Sequence, residues 1–186
     1  MELLIGNNAS NDVSVVYGKG DGSFLDNPAL PTFAGNNPRP RSLEMADLNA
    51  DGNLDIVTAL FGDNTIAVQL GDGAGGFASA VKFPATAGPH DLAIGDVNAD
   101  DIPDVVVTEN GAGRAVLLIG QGDGSFDAPQ PIDNTAAALA VEIADVDGDG
   151  HADLVLADLG KVEIHFGASD GSFSSPVNFV TTGGGN

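Results

Sequence analysis

Two short sequence elements recur at constant spacing, and they constrain the fold more than any other feature of the chain. The first is an acidic loop that begins at Asp47, Asp96 and Asp145, with 49 residues between successive copies. The second is a glycine-rich turn that ends in a phenylalanine and occurs four times, at Phe24, Phe77, Phe126 and Phe173. Self-similarity at a fixed period is the signature of a repeat architecture. The chain is therefore predicted to be a tandem repeat.

Short aliphatic runs lie between these two elements. One set follows the acidic loops at 55–59, 104–108 and 153–157, and a second set follows at 66–70, 115–119 and 162–166. Runs of about five β-branched residues, bounded by Gly, Asn and Asp, are typical of strands. A third strand is predicted near each phenylalanine, and a fourth leads into the next acidic loop. Four strands in each period indicate an all-β fold made of β-propeller blades with four antiparallel strands.

The repeat divides the chain into a single domain of about four blades, which the spacing places at approximately 1–39, 40–88, 89–137 and 138–186. Phe77 lies 22 residues after Asp55, and the same count back from Phe24 reaches Glu2. Blade 1 is therefore expected to lack its acidic loop and its innermost strand. This count predicts a partial propeller whose first blade is incomplete.

Each acidic loop places side-chain oxygens at positions 1, 3, 5 and 9, and the carbonyl at position 7 is a further candidate. Oxygen ligands at alternate positions of a short turn suit Ca²⁺, which takes 6–8 oxygens at about 2.3–2.6 Å. An all-oxygen set disfavours zinc, copper and nickel. About three calcium sites are predicted. Their candidate ligands are Asp47, Asn49, Asp51, Asn53 and Asp55; Asp96, Asn98, Asp100, Ile102 and Asp104; and Asp145, Asp147, Asp149, His151 and Asp153.

The three loops differ at position 6, where a positive φ angle is expected because the chain turns sharply there. Glycine occupies this position at Gly52 and Gly150, whereas the second loop has Asp101. Asp tolerates this conformation less well than glycine, so the second site is predicted to be the weakest. The third loop has four aspartates and is predicted to bind most tightly. The alternative is that these loops are plain turns, since Asp, Asn and Gly are common turn residues.

The charge of the chain excludes several functional classes. With 27 acidic and 6 basic residues, the net charge is −21, which repels nucleic acids and anionic membranes. No apolar run approaches the roughly 20 residues of a membrane helix, and there is no cysteine. The three histidines accompany no nucleophile motif. We therefore expect no nucleic-acid partner, no membrane insertion and no enzymatic activity.

The unit Asp-x-Asn/Asp-x-Asp-Gly-x-x-Asp, followed by a hydrophobic strand and Gly-Asp-Gly-Ser-Phe, resembles the FG-GAP/VCBS repeat family. Such repeats build the calcium-binding propellers of integrin α-subunit heads and of many bacterial surface proteins and lectins. The resemblance implies an extracellular or cell-surface module, with structural calcium, that mediates adhesion or binds a protein or carbohydrate ligand. Two alternatives stay open: an assembly unit that self-associates through open blade edges, and an accessory domain of a polysaccharide-active enzyme.

Overall fold

The prediction of an all-β chain is confirmed. A computed structural model describes residues 2–7, 9–24, 37–85, 87–132 and 138–180, and in these ranges it contains fourteen strands and no helix. Accordingly, no helix in the described ranges is long and apolar enough to cross a membrane. The strands are β1 (Glu2–Asn7), β2 (Asp12–Tyr17), β3 (Pro40–Ala46), β4 (Asp55–Leu60), β5 (Thr65–Gln69), β6 (Val81–Pro84), β7 (Pro89–Gly95), β8 (Asp104–Glu109), β9 (Arg114–Leu118), β10 (Gln130–Ile132), β11 (Ala140–Ala144), β12 (Asp153–Asp158), β13 (Lys161–His165) and β14 (Val177–Val180).

The strands form four separate antiparallel sheets, each built from consecutive strands. Sheet 1 contains β1 and β2, sheet 2 contains β3–β6, sheet 3 contains β7–β10 and sheet 4 contains β11–β14. Strands β3, β7 and β11 lie side by side, so the first strands of the complete sheets are the innermost ones. Four-stranded meanders arranged around a common inner edge are the blades of a propeller. The predicted blade architecture is therefore confirmed in sheets 2, 3 and 4.

The core lies between the faces of neighbouring sheets. All six residues of β4 and all six of β8 are buried, because each of these strands has another sheet on both sides. Burial on both faces explains why the middle of each strand is mostly aliphatic and does not alternate with polar residues. The contact between sheets 2 and 3 includes Val57, Ile66, Val105 and Val116. The contact between sheets 3 and 4 includes Val106, Leu117, Leu154 and Leu156.

The repeated phenylalanines come before the outer strands. Phe77 forms an isolated bridge with Gly71, and β6 begins only at Val81. Phe126 packs against the core between sheets 2 and 3, where its ring meets the ring of Phe83 edge to face at 5.5 Å. Phe173 packs in the same way against the core between sheets 3 and 4. Phe24 differs, since 42% of its surface is exposed.

Candidate metal centres

The three acidic loops occupy equivalent positions in the fold. They span residues 47–54, 96–103 and 145–152, and each connects the innermost strand of a sheet to its second strand. Because the strands that they join are equivalent, the three loops lie at the same end of sheets 2, 3 and 4. The sequence repeat therefore places three equivalent sets of oxygen atoms along one end of the molecule.

The first two loops fold in the same way around the aspartate at position 1. In the first loop, the Asp47 carboxylate accepts hydrogen bonds from the backbone N–H groups of Asp51 at 3.1 Å and Gly52 at 2.8 Å. In the second loop, Asp96 accepts the same two bonds, at 3.1 and 2.8 Å, from Asp100 and Asp101. The first two loops are thus closed by the carboxylate of their own first residue.

The third loop brings three carboxylates together. Oxygens of Asp145, Asp147 and Asp149 all lie within 4.8 Å of one another, and all three residues are exposed. The first two loops have an amide at position 3 instead, and the Nδ2 atoms of Asn49 and Asn98 donate to the position-5 carboxylates at 3.1 and 2.9 Å. Three neighbouring carboxylates repel one another unless a cation lies between them. This donor set fits a hard divalent cation such as Ca²⁺.

The aspartates at position 9 have a structural function that the sequence analysis did not identify. Asp55, Asp104 and Asp153 are buried, with 0–1% of their surface exposed. Each accepts one backbone N–H from position 2 of its loop and another from the glycine just after the third strand. We call this arrangement the aspartate clamp. Its bonds are Leu48 N–Asp55 2.9 Å and Gly71 N–Asp55 2.8 Å; Val97 N–Asp104 3.0 Å and Gly120 N–Asp104 2.8 Å; Val146 N–Asp153 2.8 Å and Gly167 N–Asp153 2.8 Å.

The clamp leaves the carboxylates able to take a further partner. An ionised carboxylate has about four lone-pair sites, and the clamp uses two of them. Burial raises the pKa of Asp104 above its usual range, while the N–H groups of Gly120 and Val97 oppose that rise. The prediction that position 9 also contributes to a metal site therefore stays open beside its role in the clamp.

Backbone geometry distinguishes the loops at two positions. The expected positive φ angle at position 6 is confirmed, at +84° for Gly52, +67° for Asp101 and +89° for Gly150. A second left-handed position occurs at position 4, where the first two loops have alanine, with φ of +56° at Ala50 and +60° at Ala99. The third loop has glycine there as well, at Gly148. Alanine is strained in this conformation and glycine is not, so the third loop is the least strained.

The histidines lie on three different elements. His90 is in β7, where its Nδ1 lies 3.0 Å from the carbonyl of Leu139, and His165 is in β13, with its Nδ1 3.2 Å from the carbonyl of Ser174. His151 lies in the third acidic loop, where its backbone N–H donates to Asp149 at 2.8 Å. Neither His90 nor His165 belongs to an acidic loop.

Comparison with solved structures relates the fold to known propellers. A lectin of Agrocybe aegerita, described by its recognition of non-reducing terminal N-acetylglucosamine, is 21% identical with a TM-score of 0.64, over 99% of this chain and 53% of that one. The K499G mutant of the NanB sialidase of Streptococcus pneumoniae is 12% identical with a TM-score of 0.65, over 91% of this chain and 28% of that one. AofleA of Arthrobotrys oligospora is 15% identical with a TM-score of 0.59, over 92% and 51%. These likenesses show the fold, and this chain spans about half or less of each relative.

Among curated proteins, a search with this sequence finds no match. The FG-GAP-like repeat family, however, matches three times in overlapping segments, at residues 1–58, 47–107 and 96–156. Successive matches begin 46 and 49 residues apart, which agrees with the spacing of the acidic loops. Together the segments cover most of the chain and contain all three acidic loops. The chain therefore belongs to the FG-GAP-like repeat family.

Proposed function

We propose that this chain is a non-catalytic ligand-binding module of the propeller type, placed outside the cell or at its surface and stabilised by calcium in its acidic loops. The observation that carries the proposal is the group formed by Asp145, Asp147 and Asp149, whose carboxylate oxygens lie within 4.8 Å of one another. Bound calcium supplies positive charge to the carboxylates of a loop. By binding oxygens of that loop, it would hold together the two strands that the loop connects. The ligand is a protein or a carbohydrate, and the likeness of the fold to lectins supports the carbohydrate.

The type of site supports an extracellular location. Calcium sites of extracellular modules work at about 10⁻⁴–10⁻³ M calcium, a concentration far above that of the cytosol. Short exposed loops, such as the third one, suit this range. The excess of acidic residues, with a net charge of −21, also favours binding of cations over binding of anionic polymers.

Thermal unfolding with calcium, with magnesium and with EDTA tests the metal part of the proposal. A ligand at 100 times its Kd stabilises the native state by about 2.7 kcal/mol, and this raises the Tm of a protein of this size by roughly 5–10 °C for each site. Asp147→Asn should reduce the shift, because it removes one of three clustered carboxylates. Asp127→Asn, which changes an exposed aspartate outside the loops, is the matched control. Equal melting temperatures in calcium and EDTA would mean that the loops are only turns.

Glycan and protein arrays test the ligand-binding part. The protein is labelled and applied to both arrays in calcium and again in EDTA. Reproducible binding that weakens in EDTA is the expected result, since the loops support the sheets that form the binding surface. Absence of binding on both arrays, with the protein folded and loaded with calcium, would refute the proposed function.

A second candidate function is assembly through the open face of sheet 4. Phe179 in β14 is 52% exposed, whereas Ile132, at the matching place in β10, is only 8% exposed because sheet 4 covers it. A second protein chain that packs on this face would bury apolar surface, as neighbouring sheets do where their faces meet. Sedimentation velocity of the wild-type chain and of Phe179→Ser tests this: self-association that the substitution abolishes supports assembly, and a monomer at all concentrations rules it out.

A further inference from the structure

Two arginine side chains lie over one aromatic ring, at the end of sheet 2 that is opposite its acidic loop. The guanidinium carbon of Arg39 lies 5.2 Å from the centroid of the Phe61 ring, and that of Arg41 lies 5.0 Å from it. Arg39 comes directly before β3, and Phe61 comes directly after β4. Since a strand rises about 3.3 Å per residue, β3 separates Arg39 from the acidic loop at 47–54 by roughly 20 Å.

The backbone and the neighbouring sheets hold this group in place. The N–H of Phe61 donates to the carbonyl of Arg39 at 3.2 Å. The Phe61 ring packs against Gly88 at the start of sheet 3, where a Cβ atom would lie 3.2 Å from Cε2 of the ring. The N–H of Arg39 donates to Oδ1 of Asn11, in the turn of sheet 1, at 3.0 Å. The arginines therefore extend from a point where three sheets are joined, and Arg41 is exposed there.

The backbone at Arg39 favours glycine, and the next repeat has glycine at the same place. Arg39 has a φ angle of +51°, and Gly88, its counterpart 49 residues later, has +63°. The counterpart of Phe61 in that repeat is Asn110. An arginine is strained in this left-handed conformation and a glycine is not. The geometry of the turn therefore does not explain the arginine, and we expect its side chain to have a function other than folding.

Neither arginine has a carboxylate partner within the described part of the chain, although the chain has 27 acidic residues. Three of the six basic residues do form ion pairs there, namely Lys82 with Asp63, Arg114 with Glu109 and Lys161 with Glu163. The acids that lie beside the turns of sheets 2 and 3 are thereby neutralised. The loop charges lie roughly 20 Å away, and at 0.1 M salt such charges are screened over about 10 Å. Two positive charges on one ring are thus left for an anion from outside the chain.

A carboxylate is the anion that suits this pair. A guanidinium presents a planar fork of N–H donors, which bonds both oxygens of a carboxylate at once. The aromatic ring attracts both guanidiniums and so holds them near each other. A carboxylate carries a single negative charge, so a chain with a net charge of −21 repels it less than it repels a phosphate. Arginine and aromatic side chains are also enriched at protein–protein interfaces.

We propose that Arg39, Arg41 and Phe61 form a docking site for an acidic segment of a partner protein. Each guanidinium binds a carboxylate of an aspartate or glutamate of that segment, and the Phe61 ring holds the two guanidiniums in position. The site is additional to the function proposed above, because it lies at the opposite end of sheet 2 from the acidic loop and uses none of the candidate calcium ligands.

Fluorescence polarisation with a labelled hexaglutamate peptide tests the proposal, and hexaglutamine is the uncharged control. Saturable binding of hexaglutamate alone is expected, and it should weaken as the salt concentration rises. Each titration is made in calcium and in EDTA, because glutamate carboxylates also bind calcium held in the loops. Failure of hexaglutamate to bind, or equal binding of hexaglutamine, would refute the proposal. Inorganic phosphate that displaces the peptide more effectively than acetate, at equal ionic strength, would overturn the assignment to a carboxylate.

Substitutions in the arginine pair locate the binding. Arg39→Gly copies Gly88 and removes one guanidinium. It should raise the Kd of hexaglutamate by roughly tenfold, while its Tm stays close to that of the wild type because glycine relieves the strain. Arg41→Lys keeps the charge, loses the fork of donors and should also weaken binding. Lys19→Gln removes one positive charge at an exposed position outside the site and is the matched control, with unchanged affinity.

An Arg39→Gly variant that binds hexaglutamate as the wild type does would show that the peptide binds elsewhere, and this overturns the site. If that binding also requires calcium, it takes place at the acidic loops. Neither result affects the proposed calcium and ligand-binding function, which is tested by melting curves and arrays.

Discussion

At the scale of single residues, the buried aspartates explain how an exposed loop is attached to a sheet. Asp104 accepts bonds from Val97 and Gly120, which lie 7 and 16 residues away in the chain. One carboxylate thereby joins the loop, the start of the second strand and the end of the third. An ionised carboxylate accepts both bonds at once, and no neutral side chain of this size accepts two N–H groups with two equivalent oxygens.

Asp104→Ala should destabilise the protein even when no calcium is present. The substitution leaves two buried N–H groups unpaired, at about 1–3 kcal/mol each, which lowers the Tm by roughly 5–15 °C for a protein of this size. Asp100→Ala in the same loop removes an exposed carboxylate whose two donors, the N–H of Ile102 and Nδ2 of Asn98, make exposed hydrogen bonds. It should change the Tm in EDTA by only a degree or two.

Melting curves of both variants in EDTA and in calcium measure the difference. The Asp100→Ala variant should lose part of the calcium-dependent shift while its Tm in EDTA stays near that of the wild type. Similar melting temperatures of the two variants in EDTA would show that the clamp bonds contribute little to the fold.

The limit of prediction from sequence is visible at these same residues. The spacing of Asp47, Asp96 and Asp145 predicted the loops and their position between strands, because a repeat carries its local geometry in its sequence. The second acceptor bond of each clamp comes from a glycine 14–16 residues away, so it depends on how three strands pair. The strain at Ala50 and Ala99 was also missed, because alanine gives no sign of a left-handed turn.

At the scale of elements, the innermost strands are joined by carboxylates that reach from one sheet to the next. Oε2 of Glu44 in β3 accepts the N–H of Ile94 in β7 at 3.0 Å, and Oδ2 of Asp91 in β7 accepts the N–H of Val141 in β11 at 3.1 Å. These strands do not form ladder hydrogen bonds with one another. The sheets are therefore connected at their inner edge by side chains, and on their faces by aliphatic packing.

Burial raises the pKa of Glu44 above its ordinary value of 4.5; the N–H of Ile94 opposes that rise, and the charges of Glu142 and Asp91 add to it. For an acid whose pKa is raised by folding, the stabilisation is present below about pH 4.5 and is lost as the pH rises through the pKa of the folded state. Glu44→Gln keeps an acceptor for Ile94 and removes the charge. It should raise the Tm by roughly 1–4 °C at pH 7 and have little effect at pH 4.

Thermal melts of both proteins at the two pH values, in EDTA, check this expectation. Glu142→Gln, at an exposed position of β11, is the control and should have a smaller effect at pH 7. A destabilised Glu44→Gln variant at pH 7 would mean that the negative charge strengthens the bond to Ile94 by more than its burial costs.

Strand positions were the part of the fold that the sequence predicted best. The runs at 55–59, 104–108 and 153–157 correspond to β4, β8 and β12, because short aliphatic and β-branched segments between turn residues are typical of strands. The outer strands were harder to place, since β10 has three residues and begins four residues after Phe126.

At the scale of the whole molecule, the net charge of −21 opposes compaction. Much of this charge is concentrated at one end, in the acidic loops. Repulsion between exposed charges is screened over about 10 Å at 0.1 M salt, so the ionic strength should influence the stability of the metal-free protein.

Without calcium, raising NaCl from 0.01 to 0.5 M should increase the Tm, because the Debye length falls from about 30 Å to less than 10 Å. With saturating calcium, the same change should have a smaller effect, because the loop charges are then neutralised by bound ions. Calorimetry over a salt series in EDTA and in calcium measures both slopes. Equal slopes would indicate that the loops hold no calcium, or that their charges lie too far apart to matter.

The aspartate clamp also bears on how the chain is made. Its longest hydrogen bond closes a segment of only 16 residues, and every strand pair within a sheet joins neighbours in the chain. A nascent chain therefore has all the partners of one sheet soon after that sheet leaves the ribosome, and each finished sheet presents a face on which the next one is built. The topology therefore permits each repeat to fold during synthesis, before the next one is complete.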